Sequence, residues 1–102
     1  MSSAENRVAI VTGGSRGIGR AVALLLAERG YAVCLNYVSD AAAAQGVVDA
    51  IAAKGGRALA VKGDVGNEAD VIALFKAADG LGRLAALVNN AGVVDVKSTS
   101  PT

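Results

Sequence analysis

The sequence contains no histidine and no tryptophan, and it has only one cysteine and one proline. Without histidine, the chain has no imidazole for acid–base catalysis or for metal binding. The single cysteine, Cys34, excludes an internal disulfide and a zinc site made of several cysteines. Because Cys34 lies in an apolar run, we interpret it as a small buried residue rather than a reactive thiol.

Excess charge and long apolar runs are also missing. The 10 Lys and Arg residues nearly balance the 9 Asp and Glu residues, which gives no support for a nucleic-acid or membrane-surface partner. The N-terminus carries an acid where a signal peptide carries positive charge, and no run approaches the ~20 apolar residues of a membrane span. We therefore expect a cytoplasmic protein. Its 102 residues suffice for one domain.

Short apolar runs, the first of them β-branched, alternate with helical patterns along the chain. Strands are predicted at 7–12, 32–36, 58–62 and 84–88. Ser39 or Asp40 can cap the second helix, and Asn67 can cap the third. The β-α-β-α-β-α-β order predicts an α/β fold, a Rossmann-type doubly wound parallel sheet with helices on both faces.

Apolar spacing also predicts which helix faces lie against the sheet. In the first helix this face comprises Ile18, Ala21, Val22, Leu25 and Leu26. In the second it comprises Ala44, Val47, Val48 and Ile51, and in the third Val71, Leu74, Phe75 and Ala78.

Four glycines, at positions 13, 14, 17 and 19, stand between the first predicted strand and the first predicted helix. Glycines in such a turn let the backbone approach a phosphate, and the helix N-terminus adds free N–H groups and a positive dipole end. The order strand, glycines, helix is the context that a dinucleotide-binding turn requires. A tight turn without a ligand is the less favoured alternative. We predict that residues 12–19 bind a pyrophosphate.

The end of the second strand bears on which dinucleotide is bound. In NAD-binding folds an acid at this point holds the ribose hydroxyls, whereas here the residues are Asn36 and Tyr37. Since an acid would repel a 2′-phosphate, its absence permits NADP(H), and Arg16 could supply the matching cation. The alternative for Arg16 is a solvated surface charge. The residues favour NADP(H) over NAD(H).

With these residues in place, the chain resembles the short-chain dehydrogenase/reductase family from about residue 7 to residue 93. Residues 12–19 match its Thr-Gly-x-x-x-Gly-x-Gly turn, 63–65 look like its acidic motif, and 87–92 match its Asn-Asn-Ala-Gly motif. The resemblance implies cofactor contacts at four places: Gly13, Ser15, Arg16, Gly17, Ile18 and Gly19 at the phosphates, Asn36 and Tyr37 at the ribose, Asp64 and Val65 at the adenine, and Asn90, Ala91 and Gly92 beside the nicotinamide.

The Asn-Tyr pair is similar to that of NADP-dependent 3-oxoacyl-carrier-protein reductases. The resemblance therefore implies hydride transfer between NADP(H) and a small-molecule carbonyl or alcohol, by a complete enzyme that is a homo-oligomer. Structural roles stay open beside the cofactor roles. Asp64 could stabilise a turn, Asn89 and Asn90 could bond to neighbouring backbone, and Gly92 could be a plain turn glycine.

The family's catalytic Ser and Tyr-x-x-x-Lys lie in the later half of a chain more than twice this long. Here Tyr31 is followed at the fourth position by Leu35, and Tyr37 by Ala41. No catalytic residue is therefore assigned, and we expect this chain alone to be inactive. No metal ligand is assigned either, because the sequence has no histidine and only one cysteine. The alternatives are a non-catalytic dinucleotide-binding or interaction fragment and, less favoured without an acid after the second strand, a methyltransferase.

Residues 1–94 are predicted to form a dinucleotide-binding half-domain, incomplete relative to the family. Residues 95–102 are predicted to form a polar C-terminal tail, disordered or at a truncation point. In the expected strand order 3-2-1-4, the fourth strand lies at an open edge. We expect its unpaired backbone and apolar side chains to form an association site.

Overall fold

The computed structural model describes residues 7–90, which form a four-stranded parallel sheet with three helices. In chain order the elements are β1 (Arg7–Thr12), α1 (Gly17–Glu28), β2 (Ala32–Tyr37), α2 (Ala41–Ala53), β3 (Ala58–Lys62), α3 (Glu68–Asp79) and β4 (Arg83–Asn89). The strand order is β3-β2-β1-β4, and each neighbouring pair is parallel. The predicted Rossmann-type α/β fold is confirmed.

The two central strands are buried on both faces. Successive residues of a strand point to opposite sides of the sheet. In β1, Val11 packs in the cluster that includes α1 and α2, whereas Val8 and Ile10 pack in the cluster that includes α3. In β2, Leu35 and Cys34 divide in the same way. This is why both strands are continuous apolar runs without polar alternation.

The predicted apolar face of α1 is partly wrong. The buried residues of this helix are Gly19 and Ala23, whereas Ile18 is 74% exposed and Leu25 is 48% exposed. Ala21 is exposed as well, and Val22 and Leu26 are half-buried. The cause is the close approach of Gly19 to the backbone of Gly13, which sets the rotation of the helix about its axis.

The other two helices follow the sequence more closely. The Asp40 Oδ1 atom accepts the Ala43 N–H (3.0 Å) and the Asn67 Oδ1 atom accepts the Asp70 N–H (3.1 Å), so both predicted N-caps are present. In α2, Ala44, Val47 and Ile51 are buried as predicted, and Val48 is half-buried. In α3, Leu74 and Ala78 are buried, Val71 is half-buried, and Phe75 is 37% exposed. Phe75 therefore does not belong to the buried face predicted for α3.

Strand β4 lies at the sheet edge, as the predicted order requires. Among residues 7–90 it pairs with β1 alone. The pairing skips Ala85, because Val8 is opposite Leu84 and Ala9 is opposite Ala86. Leu87 is 54% exposed, so an apolar side chain lies at this edge. No helix within 7–90 has the length and apolar character needed to cross a membrane.

Candidate cofactor site

All four parallel strands end at the same edge of the sheet, and the predicted site residues follow those ends. The neighbours of β1 are β2 on one side and β4 on the other, so the strand order reverses at β1. In open α/β sheets, ligands bind in the crevice outside the carboxyl ends of the strands at such a reversal. The fold brings together the turn at 13–19, the β2 end at 36–37, the loop at 64–65 and Asn90. Ala91 and Gly92 lie outside the described residues.

The turn between β1 and α1 depends on its glycines in two different ways. Gly13 (φ 64°) and Gly17 (φ 60°) have left-handed backbone conformations, which side chains other than glycine's rarely allow. Gly19 is required for a different reason. A Cβ there would overlap the carbonyl oxygen of Gly13 and lie 2.9 Å from the Asn90 Nδ2 atom. The backbone of the turn and the first turn of α1 are therefore in direct contact.

The N-terminus of α1 differs from those of α2 and α3. Arg16 occupies the cap position in an extended conformation, and among residues 7–90 no side chain caps this helix. The first turn of α1 also contains no acid. The first N–H groups of a helix have no partner within the helix. They are therefore available to an anion, which the helix dipole also favours.

Two asparagine side chains hold the peptide units on either side of Gly13. The Gly13 N–H donates to the Asn36 Oδ1 atom (3.2 Å), and the Asn90 Nδ2 group donates to the Gly13 carbonyl (3.2 Å). The Gly14 N–H donates to the main-chain carbonyl of Asn36 (3.1 Å). Since the first two N–H groups of the turn are used in this way, those available to a phosphate begin at Ser15.

Asn36 also reaches the segment after β3. Its Nδ2 group donates to the Gly63 carbonyl at 2.7 Å, and the residue is only 3% exposed. The sequence predicted that Asn36 lies beside the ribose, and this role stays a prediction. It did not reveal the hydrogen bonds that Asn36 makes within the protein. The available signal was a polar residue at the end of a buried apolar strand, because buried amides are almost always hydrogen-bonded.

The two asparagines after β4 have structural bonds as well. The Thr12 hydroxyl donates to the Asn89 Oδ1 atom (3.1 Å), which joins the ends of β1 and β4. Asn90 holds the Gly13 carbonyl. The Asn90 bond is the backbone bond considered as the structural alternative, whereas the Asn89 side chain bonds to another side chain. The nicotinamide-side role of Asn90 stays a prediction.

Asp64 stabilises the turn between β3 and α3. Its Oδ1 atom accepts the Gly66 N–H (2.8 Å), while its own N–H donates to the Asp70 Oδ2 atom (2.9 Å). The carboxylate is exposed and Val65 is half-buried. The turn role of Asp64 is therefore present, and the adenine contact of Asp64 and Val65 stays a prediction.

A cleft of about 220 Å³ opens beside the turn at the carboxyl edge. Arg16 and Asp40 both line it, so the cleft holds one cation and one carboxylate. The other lining residues are Gly13, Ser15, Tyr37, Val38 and Ser39. A larger cleft of about 420 Å³ lies between the C-terminal ends of α1 and α2. We assign the candidate site to the smaller cleft because it lies at the strand ends where ligands bind.

Two side chains of interest lie away from this site. Tyr31 immediately precedes β2, and the Arg7 guanidinium stacks 4.4 Å from the centre of its ring. Cys34 is fully buried in β2. Burial raises the pKa of its thiol to about 11, so the thiolate, which is the reactive form, is scarce at neutral pH.

A comparison with known protein families shows which family this chain belongs to. Residues 7–102 match the profile described as short chain dehydrogenase. The chain belongs to the short-chain dehydrogenase family. This match extends across nearly the whole chain, and it includes the glycine turn, Asn36 and Asn90.

Individual relatives of this short-chain dehydrogenase chain are similar in sequence and structure. An uncharacterized oxidoreductase of Escherichia coli (strain K12) is 50% identical over 93 residues, which are 90% of this chain and 38% of the relative. The 3-oxoacyl-[acyl-carrier-protein] reductase of Synechocystis is 47% identical over 91% of this chain and 38% of its own. A crystal structure of a dehydrogenase/reductase from Sinorhizobium meliloti 1021 superposes with a TM-score of 0.79 at 45% identity, covering 82% of this chain and 34% of that one.

These shares show that the chain spans little more than a third of the length of the relatives that it matches. The part that it matches contains the strands, helices and turn described above.

Proposed function

We propose that this chain forms the cofactor-binding half of an NADP(H)-dependent oxidoreductase that transfers hydride between the cofactor and a carbonyl or alcohol. The observation that carries the proposal is the N-terminus of α1. No side chain of the described part of the chain caps it, and it follows a glycine turn fixed by Asn36 and Asn90. Relatives named 3-oxoacyl-[acyl-carrier-protein] reductases support the reaction type.

The residues present fit a dinucleotide. Because Gly19 has no side chain, α1 packs directly on the turn. The N–H groups of Ser15 and of the first turn of α1 then point together toward the place where a pyrophosphate would bind. Tyr37, half-buried in the cleft, offers a flat face and a hydroxyl at the expected ribose position. The nicotinamide supplies the hydride chemistry when bound, and this chain's residues bind and orient the cofactor.

The preference for NADP(H) rests on two opposing charges in one cleft. Arg16 is exposed and offers a guanidinium whose geometry suits a phosphate. The Asp40 carboxylate lines the same cleft and opposes a 2′-phosphate, although its Oδ1 atom also accepts the Ala43 N–H as the cap of α2. We expect Arg16 to prevail, because it can bond directly to the phosphate whereas Asp40 is committed to its helix.

The test is the ratio of the dissociation constants for NAD+ and NADP+, measured by calorimetry. We expect the wild-type chain to prefer NADP+ and Arg16→Ala to reduce the ratio about tenfold, since a charge-assisted hydrogen bond is worth about 1.5–3 kcal/mol before solvent screening. Arg20→Ala is the matched control, because Arg20 is also an exposed arginine in this region but does not line the cleft. Equal affinities in the wild type would refute the NADP(H) preference.

A substitution at Asp40 supplies a second test, in which the affinity for NADP+ should rise rather than fall. Asp40→Asn removes the charge and keeps a side chain that caps helices equally well. We expect the affinity for NADP+ to rise about two- to fivefold, the size of effect typical of charges near a protein surface, with no change in stability. A weaker affinity for NADP+ would show that Asp40 does not oppose the phosphate.

A non-catalytic dinucleotide-binding fragment is the second candidate, because the chain spans little more than a third of the length of the relatives that it matches. Both candidates predict that the 102-residue chain binds NADP+ and reduces no carbonyl substrate. They differ when the reading frame is followed past Thr102. If a downstream Tyr-x-x-x-Lys segment is present and confers turnover, the oxidoreductase is supported. We propose that this complete enzyme is cytoplasmic and homo-oligomeric.

A further inference from the structure

Asn36 is a buried polar side chain with two partners, and neither partner is on its own strand. The residue is next to the last in β2 and is only 3% exposed. Its Oδ1 atom accepts the Gly13 N–H in the turn after β1, and its Nδ2 group donates to the Gly63 carbonyl just after β3. The side chain therefore spans the ends of three adjacent strands.

Only a carboxamide suits this position among side chains of its size. It presents an acceptor toward Gly13 and a donor toward Gly63 on one planar group. An aspartate would place a second acceptor against the Gly63 carbonyl, and an aliphatic residue would leave both backbone groups unpaired. Leaving a buried backbone group unpaired costs more than the bond itself contributes to stability.

We propose that Asn36 is a positioning residue that acts on the cofactor through Gly13 and Gly63. Its carboxamide fixes the turn that precedes the phosphate-binding N–H groups to the segment that carries Asp64. The two parts of the site are then held at one spacing before the cofactor arrives, and preorganisation of this kind raises affinity by reducing the ordering that binding requires. The part of this inference that concerns affinity rests on the proposed function.

Hydrogen exchange in the ligand-free chain tests the bond itself. The Gly13 N–H is held by the Asn36 side chain, whereas the neighbouring Gly14 N–H is held by the Asn36 main-chain carbonyl. We expect Asn36→Ala to reduce the protection of the Gly13 amide at least about tenfold relative to Gly14, as the loss of one hydrogen bond implies. Asn36→Asp, which keeps an acceptor, should retain the protection of Gly13.

Binding of NADP+ tests the consequence. We expect Asn36→Ala to raise the dissociation constant about tenfold, the equivalent of one lost hydrogen bond. The matched control is Val47→Ala, which removes two methyl groups from the core beneath α2 without touching the turn. The control should lower stability and leave the dissociation constant within about twofold.

Two results would overturn the inference. One is equal loss of protection at Gly13 and Gly14 in Asn36→Ala, which would indicate general destabilisation rather than a specific bond. The other is unchanged NADP+ affinity in folded Asn36→Ala. If the wild type binds no NADP+, the proposed function fails, and the exchange result still decides whether Asn36 fixes the turn.

Discussion

Gly19→Ala and Gly46→Ala place the same methyl group in two helices and should change stability in opposite directions. At Gly19, in the first turn of α1, the new Cβ overlaps the carbonyl oxygen of Gly13, which is backbone. At Gly46, inside α2, the new Cβ has no neighbour within 4 Å among residues 7–90. The pair separates the packing cost at the turn from the helix propensity that both substitutions share.

The expected magnitudes follow from these surroundings. Replacing glycine by alanine inside a helix stabilises the protein by roughly 0.8–1.0 kcal/mol. Gly46→Ala should therefore raise the free energy of unfolding by about that amount. Gly19→Ala must displace a carbonyl that the Asn90 amide holds at 3.2 Å. Overpacking costs about 1–3 kcal/mol and a lost hydrogen bond about 1 kcal/mol. After the gain in helix propensity is subtracted from these costs, Gly19→Ala should lower the free energy of unfolding by about 1–3 kcal/mol.

Urea unfolding measures both values, and the slope with denaturant should stay unchanged in both variants. Binding of NADP+ adds a second measurement. Gly46→Ala should bind as the wild type does, whereas Gly19→Ala should bind much more weakly because its helix N-terminus is moved away from the phosphate position. If Gly19→Ala is as stable as Gly46→Ala, the close contact between α1 and the turn is refuted.

Two further predictions concern the core and the sheet edge. Burial raises the pKa of Cys34 from 9.0 to about 11, so the folded state keeps a proton that the unfolded state loses between these values. The stability should therefore fall by about 2 kcal/mol from pH 9 to pH 11. Chemical denaturation of Cys34→Ala should lack this part of the decline, and an equal decline would contradict the assignment. At the edge, Leu87→Lys should reduce self-association in sedimentation experiments, because it places a charge on β4. Leu59→Lys on β3 is the control, and an equal effect there would show that β4 is not the association site.

Much of the fold could be predicted because its signals are local. The short apolar runs locate β1 and β3 with the bounds that the structure shows. Asp40 and Asn67 cap their helices as expected, since a cap depends on residues within one turn. The glycine turn was predicted for the same reason, because backbone conformation and close approach both restrict residue type.

The rotation of α1 could not be predicted from its own sequence. Its apolar residues suggest a face containing Ile18 and Leu25, but Gly19 and Ala23 are the buried residues. The tightest contact involves a residue with no side chain, so it contributes nothing to a hydrophobic pattern. Periodicity measures where apolar side chains lie, and not how closely two backbones approach.

The order of elements, the parallel α/β class and the glycine turn between β1 and α1 all follow from the amino-acid sequence alone. They can be predicted because period, capping and glycine placement act over a few residues. Only the tertiary structure decided that Asn36 joins Gly13 to Gly63 across 50 residues of chain, and that Asp40 shares a cleft with Arg16. Both depend on the adjacency of strands in the sheet, which brings together residues whose separation along the chain gives no signal.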